Sequence, residues 1–186
     1  TVTQASQRGA VNWQSFDVGG QHTVTFNQPS AQSVTLNRVV GPDPSQIAGK
    51  ITANGQIVLM NQSGVAFSQG SQVNAAGLVV TASGISADNT RKFIAGGKLV
   101  MDQAPKPGAQ IVNEGTLTVA DGGLAALVAP AVANRGVILA RLGKVILAGA
   151  EAHTIDLYGD GLLSIDVTQQ VRQVPTGPDG KPVTAL

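Results

Sequence analysis

A pattern of short strand-like stretches separated by glycines occurs twice, with an offset of 21 residues, and this repeat limits the fold more than any other feature of the chain. The first copy reads NEGTLTVADGGLAALVAPA from Asn113, and the second reads NRGVILARLGKVILAGAEA from Asn134. The matched positions are Asn113 with Asn134, Gly115 with Gly136, Gly122 with Gly143, and Ala131 with Ala152. A repeat of this length is the size of one structural unit that stacks on copies of itself.

Apolar and polar residues alternate at period two over several other stretches, which predicts β-strands rather than helices. These stretches are residues 10–18, 22–28, 33–39, 50–60 and 64–70. The corners between them contain Gly, Asn, Asp and Ser, which tolerate a positive φ at a tight turn. About three short strands and three corners fit into one period, so the sequence predicts a β-solenoid of about nine rungs, on the order of 40 Å long.

The composition limits the chemistry and the partners of such a rod. The 12 basic and 11 acidic residues give a formal net charge of +1, so the sequence predicts no nucleic-acid partner. Cysteine is absent, which excludes disulfides, thiolate metal sites and thiol catalysis. Aromatic residues make up only 3% of the chain and glycines number 23, so the core is predicted to be thin and mostly aliphatic.

Two segments depart from the regular pattern. Residues 88–110 concentrate charge and contain Pro105 and Pro107, which predicts a loop or hairpin outside the rod, with a short helical turn near residues 90–94. Residues 174–186 are rich in proline and glycine and are predicted to form a linker or an extrahelical tail. The predicted β-helix domain therefore covers residues 1–173.

Clustered acids would be needed for a metal site or for proton transfer. Asp156, Asp160 and Asp166 lie close in sequence, but their spacing does not match the alternating ligands of a calcium loop. We interpret these acids as corner-capping groups and predict no metal site and no catalytic residue.

The two histidines and the aromatic pair are predicted to be structural. His22 and His153 are far apart in sequence and are expected at surface or corner positions. Trp13 and Phe16 have an odd spacing, so within one strand they would point to opposite faces. This spacing predicts one ring in the core and the other under an N-terminal cap. Basic residues such as Arg38 form no run and are expected to be solvated.

The stretch MNQSGVAF contains a tight turn of a different kind. Asn61 precedes Ser63 and Gly64 between two apolar strands, and an asparagine at such a place can bond its own backbone. Local chemistry alone predicts a corner here.

Residues 12–19 (NWQSFDVG) and 24–83 resemble the haemagglutination activity domain of filamentous haemagglutinin-like exoproteins, which is the secretion domain of two-partner secretion systems. The similarity continues through residues 112–167. Its most specific positions are Asn37, Arg38, Val39, Ser45, Ile47, Gly49, Asn54 and Gly55. The family commonly has Asn-Pro-Asn-Gly where this chain has Asn61, Gln62, Ser63 and Gly64, and it starts some tens of residues before the position of Thr1, with strands that cap the helix.

The resemblance implies a right-handed parallel β-helix without cofactor or enzymatic activity. It implies recognition in the periplasm by the POTRA domains of an outer-membrane transporter, followed by folding outside the cell that nucleates the β-helix of a long adhesin, haemolysin or toxin. Host or bacterial surface receptors would then be bound by the full-length protein. The residues implied for transporter recognition or folding are Asn37, Arg38, Asn54, Gly55, Asn61, Gln62, Ser63 and Gly64.

Two other classes of function remain as alternatives. A solenoid without a cap exposes unpaired strand edges, so end-to-end self-stacking into an extracellular fibre is the first alternative. A carbohydrate-active β-helix enzyme is the second, and the dispersed acids and bases disfavour it.

Overall fold

The computed structural model describes residues 1–156 and 164–172, and its elements are nearly all short strands. In chain order the strands are β1 (Val2–Thr3), β2 (Arg8–Trp13), β3 (Thr23–Asn27), β4 (Val34–Val39), β5 (Ser45–Ile47), β6 (Lys50–Ala53), β7 (Gln56–Asn61), β8 (Val65–Phe67), β9 (Gln72–Ala75), β10 (Gly77–Thr81), β11 (Leu99–Met101), β12 (Gln110–Asn113), β13 (Thr116–Val119), β14 (Leu124–Ala129), β15 (Ala131–Asn134), β16 (Val137–Ala140), β17 (Lys144–Gly149), β18 (Ala152–Asp156) and β19 (Ser164–Gln169). A helix, α1 (Ala87–Ile94), lies between β10 and β11. No helix among the described residues is long and apolar enough to cross a membrane.

Three parallel sheets run along the rod, which confirms the predicted parallel β-helix. The first sheet has the order β1-β3-β6-β9-β13-β16, the second β2-β4-β7-β10-β14-β17, and the third β5-β8-β12-β15. Within the described residues the two longest sheets have six strands each, fewer than the nine rungs expected. The sequence estimate was too high because α1, β11, β18 and β19 belong to no rung.

The stacking explains why apolar and polar residues alternate along each strand. Inward-facing residues of successive rungs form a continuous interior cluster, in which Leu59, Val80 and Leu127 are fully buried members of one column of the second sheet. Burial of aliphatic columns of this kind is the main favourable term in folding.

The second sheet is also buried on its outer face. Leu36, Val58 and Val79 point away from the interior and pack with Phe93 of α1 and Ile155 of β18 in a second hydrophobic cluster. The covering layer consists of α1 and of an antiparallel sheet with the order β11-β18-β19. We call α1 and these three strands the outer layer.

The segment predicted as a loop or hairpin is partly helical. Helix α1 begins at Ala87, before the expected turn, because the Ser86 side chain caps it by accepting a hydrogen bond from Asn89 N at 3.2 Å. The segment lies outside the three parallel sheets, as predicted, but it is not a hairpin, since β11 pairs with β18 from beyond the last rung rather than with a neighbouring strand.

The internal repeat is confirmed at Asn113 and Asn134, which occupy equivalent positions of β12 and β15 and whose side chains form a hydrogen bond of 2.7 Å. The match of Gly122 with Gly143 was wrong by one residue. Gly143 stacks on Gly123, since a Cβ at position 143 would collide with the Gly123 backbone. Gly122 is equivalent to Leu142 instead, because both residues adopt a left-handed φ, of 76° and 54° respectively.

Two predictions for single side chains were wrong in part. Phe16 is buried in the core, as expected for one of the two rings. Strand β2 ends at Trp13, however, so the alternation does not extend to Phe16, and the two rings meet edge to face with centroids 5.3 Å apart instead of lying on opposite faces. His22 is exposed as expected, but His153 is completely buried, because it lies on the same face of β18 as Ile155, which packs in the second hydrophobic cluster.

Candidate functional site

The corner formed by Asn61–Gly64 connects β7 to β8 and has a specific hydrogen-bonded structure. The Asn61 side chain accepts a hydrogen bond from Ser63 N at 2.9 Å, which confirms the predicted side-chain-to-backbone turn. Its amide nitrogen donates to Asp43 O and to Ser45 Oγ, each at 3.0 Å. Asn61 is fully buried, so it fixes its own turn to the corner of the rung before it.

Glycine is required at the end of this corner. Gly64 has a φ of 105°, which side chains other than glycine rarely adopt, and its N–H donates to Asn61 O at 2.9 Å. A Cβ at this position would overlap the backbone of Gln110 in the next rung. The close stacking of rungs therefore adds a steric reason to the conformational one.

A segment distant in sequence crosses the outside of this corner. We call residues 102–108 the strap. Gln62 Nε2 donates to Ala104 O at 2.7 Å, and Gln62 O accepts from Lys106 N at 2.9 Å. The Lys106 ammonium donates to Ser63 Oγ at 2.9 Å and to Pro42 O at 3.1 Å. Sequence reasoning missed Lys106, because nothing in its local context connects it with a corner about 40 residues earlier.

The Asn54-Gly55 corner lies between β6 and β7 and is bonded to the rung before it. Asn54 Oδ1 accepts from Gln28 N at 2.7 Å, and Asn54 Nδ2 donates to Gln28 O at 2.6 Å. The Gln28 side chain accepts from Gly55 N at 3.0 Å and donates to Ser33 O and Gln56 O. Gln28 was not singled out from the sequence, although its position between two strand patterns was a weak signal.

Asn37 and Arg38 are neighbours in β4 but lie on opposite faces of the second sheet. Asn37 is buried inside the rod, where its Oδ1 accepts from Trp13 Nε1 at 3.0 Å. Arg38 points to the outer layer, where one guanidinium nitrogen donates to Ile85 O at 3.4 Å. Within the described part of the chain its buried Nε has no hydrogen-bond partner. The prediction that Arg38 is solvated was therefore wrong.

The predicted residues thus fall into three structural places. Asn54 and Gly55 form one corner, Asn61 to Gly64 form another, and Asn37 and Arg38 lie in the strand that precedes the latter by one rung. Val39 of β4 pairs in register with Asn61 of β7, so Arg38 lies next to the residue of β4 that pairs with the start of the second corner. The structure does not bring the two corners together, because β7 separates them.

The acids near the end of the chain do not converge on a site. Asp156 forms an ion pair with Lys98 at 3.2 Å and so connects β18 to the start of β11. Asp166 is exposed on β19, and Asp160 lies outside the described residues. Within the described parts of the chain no three acidic or histidine side chains are grouped so that they could hold a metal ion.

His153 is the most perturbed ionisable group of the outer layer. Burial lowers the pKa of His153 to about 4, because desolvation penalises the charged imidazolium. Neither ring nitrogen has a hydrogen-bond partner among the described residues. The side chain therefore behaves as a neutral packing group at neutral pH.

Comparison with known proteins gives consistent similarities. The family model of the TPS secretion domain matches residues 1–178. A heme/hemopexin-binding protein of Haemophilus influenzae is 46% identical over 81 residues, which cover 44% of this chain and 9% of that protein. The heme/hemopexin-binding protein of Haemophilus influenzae strain Rd is 37% identical over 172 residues, which cover 89% of this chain and 18% of that protein.

The crystal structure of the HMW1 secretion domain from Haemophilus influenzae has a similar fold, with a TM-score of 0.71 and 26% sequence identity. The similarity covers 92% of this chain and 46% of that one. The chain thus spans 18% or less of the length of these two curated relatives and about half of the solved domain.

Proposed function

The chain belongs to the TPS secretion domain family, and from this premise we propose that it is the export module of a longer exoprotein. An outer-membrane transporter recognises the module on its periplasmic side, and the exoprotein is released outside the cell or displayed on its surface. The observation that supports this role most directly is the parallel β-helix itself, whose three sheets carry the secretion-domain similarity over residues 1–178.

The eight residues implied by the family resemblance divide into three roles in this proposal. Asn37, Asn54, Gly55, Asn61 and Gly64 fix the corners and the interior, which supports a role in folding. Gln62 and Ser63 are half-buried at the surface of the second corner, which supports a role in contact with the transporter. Arg38 contributes by holding the outer layer against β4.

The last described rung supports nucleation of further β-helix. Val145 and Leu147 occupy inward-facing positions of β17, yet they are 48% and 49% exposed because no described strand stacks beyond them. A further rung would bury these side chains and pair with the edge of β17 on which no described strand stacks. Under this proposal the domain provides the template on which the rest of the exoprotein folds.

Self-stacking into a fibre would use the same open rung and is the second candidate. Two copies joined end to end would bury Val145 and Leu147 against the first rung of a neighbour. Sedimentation velocity over a range of concentrations separates the two candidates, because a template domain remains monomeric and a fibre subunit forms larger species as concentration rises.

The export role is tested by a secretion assay. The chain is expressed behind a signal peptide, with and without an outer-membrane transporter of the two-partner secretion type from the same organism. We expect release into the medium only with the transporter, and reduced release for Asn61→Ala. Asn74→Ala is the matched control, since Asn74 is exposed on the outside of β9. Retention in the periplasm under both conditions would refute the export role.

A further inference from the structure

The last described rung, formed by β15, β16 and β17, carries an arginine at two of its corners. Arg135 lies between β15 and β16, and its Nη1 donates to Glu114 Oε1 in the rung before it at 3.4 Å. Arg141 lies between β16 and β17, and its Nε and Nη2 donate to the Asp121 carboxylate at 2.7 to 3.2 Å. Acid and base thus alternate from one rung to the next at both corners.

The two arginines also face the open end of the rod. Their side chains are 68% and 80% exposed, and no described strand stacks beyond β16 or β17. A guanidinium presents several N–H donors in a planar fork, so it can bond one carboxylate in the rung below and a second in a rung above. An acid at the same corner of a further rung would continue the alternation.

An asparagine directly precedes the charged residue at the first of these corners. Asn113, which precedes Glu114, is completely buried, and its Nδ2 donates to Asn134 Oδ1 of the rung stacked on it at 2.7 Å. Asn134, which precedes Arg135, holds the equivalent position in the last described rung and is exposed. An asparagine stacked on Asn134 would cover it as Asn134 covers Asn113.

We propose that the last described rung selects, from the remainder of the exoprotein, a rung with an acidic side chain at each of these two corners. The first acid directly follows a corner asparagine. The second acid lies six or seven residues later, which is the spacing of the charged corners in the two rungs of this chain. The inward-facing apolar residues of the added rung cover Val145 and Leu147. This inference rests on the proposed function, because it takes the domain to be the template for further β-helix.

Charge complementarity favours this occupant over a second copy of the same chain. Residues 1–16, which include the strands at the opposite end of the rod, contain no acidic side chain and one basic side chain, Arg8. A second copy stacked end to end would therefore bring no acid from this segment to Arg135 and Arg141. Exposed ion pairs add little to stability, whereas complementary charges fix the register and like charges reject a wrong partner. The two arginines thus act by selecting the rung that stacks on them.

The test inserts one additional rung into the chain and measures thermal unfolding. A copy of residues 110–130, which carries both acids, is placed after Ala150, where β17 has ended. The comparison chain has the same insert with Glu114→Lys and Asp121→Lys in the copy. We expect the acidic insert to unfold about 4 °C higher than the lysine insert, because two surface ion pairs replace two repulsions.

The double variant Arg135→Gln/Arg141→Gln is the matched control, because glutamine keeps a polar side chain without the charge. In this background the chains with the two inserts should unfold within about 1 °C of each other. Equal melting temperatures of the two inserts in the wild-type background would refute selection by charge. A difference that persists without the arginines would refute it as well.

Binding in trans decides the matter where neither inserted chain folds. Labelled synthetic peptides with the sequence of residues 110–130, in the acidic and the lysine version, are titrated with the unmodified domain, and binding is followed by fluorescence anisotropy. We expect the acidic peptide to bind about tenfold more tightly. Equal affinities, or binding of neither peptide, would overturn the inference. The secretion assay separates such a result from failure of the proposed function, because secretion of the unmodified chain requires no added rung.

Discussion

Replacement of Asn61 by alanine should destabilise the folded domain by an amount that follows from its contacts. The change deletes three side-chain hydrogen bonds, those to Asp43 O and Ser45 Oγ and the one from Ser63 N. The bond to Ser45 Oγ is buried and the other two are partly buried, so water can replace part of what they contribute. A lost hydrogen bond costs about 1 kcal/mol, so we expect a total loss of about 2–3 kcal/mol. This is a large fraction of the ~5–15 kcal/mol by which a domain is usually stable.

Urea unfolding followed by circular dichroism measures this loss, with Asn74→Ala as the control for the same chemical change on the surface. The control should stay within about 0.5 kcal/mol of the wild type. A loss below about 1 kcal/mol for Asn61→Ala, with an unchanged denaturant slope, would refute the argument that these bonds hold the corner. The experiment also shows whether a secretion defect of this variant reflects lost stability or lost contact with the transporter.

Three further predictions concern a glycine, a histidine and a leucine. Gly64→Ala should destabilise the domain by more than Gly122→Ala, because both positions have a positive φ but only Gly64 faces another backbone; thermal unfolding of both variants tests this order. The free energy of unfolding should fall as the pH drops from about 6.5 towards 4, because the His153 imidazole is protonated in the unfolded state at a higher pH than in the folded state. The stability that the neutral His153 contributes is fully present above pH 6.5, and about 3 kcal/mol of it is lost by pH 4. His153→Phe should reduce this pH dependence in denaturant titrations. Leu142→Gly should stabilise the domain by up to about 1 kcal/mol, because Leu142 is 87% exposed in a left-handed conformation that glycine adopts without strain; a lower melting temperature for the variant would contradict this.

The rungs could be predicted from the sequence because their contacts are local and periodic. The repeat at Asn113 and Asn134 and the alternation in β7 report directly which residues stack and which face inward. The turn at Asn61 was also predictable, since the asparagine bonds to its own backbone two residues later. In each case the necessary information lies within one or two periods of the chain.

The outer layer could not be predicted in the same way, because its pairing is not local. Strand β11 has only three residues, and its partner β18 lies about 50 residues further along, after the last rung. A histidine in a short apolar stretch gives no sign of burial until that pairing is known, so His153 was placed wrongly at the surface. Arg38 was misplaced for the same reason, since the group that covers it comes from residue 85.

The separation in sequence between paired strands also determines the order in which the parts of the domain assemble. Pairing of successive rungs closes loops of about 20 residues, whereas β11 must wait for β18, and loop-closure entropy favours the shorter loops. Arg8 of the first rungs then joins the outer layer by donating to Phe93 O and Gly97 O at 2.7 and 2.6 Å. Until that layer docks, apolar side chains such as Leu36 and Val58 are exposed on the second sheet. The outer layer therefore completes the domain last, and a chain that folds rung by rung exposes this apolar face in the intermediate stages.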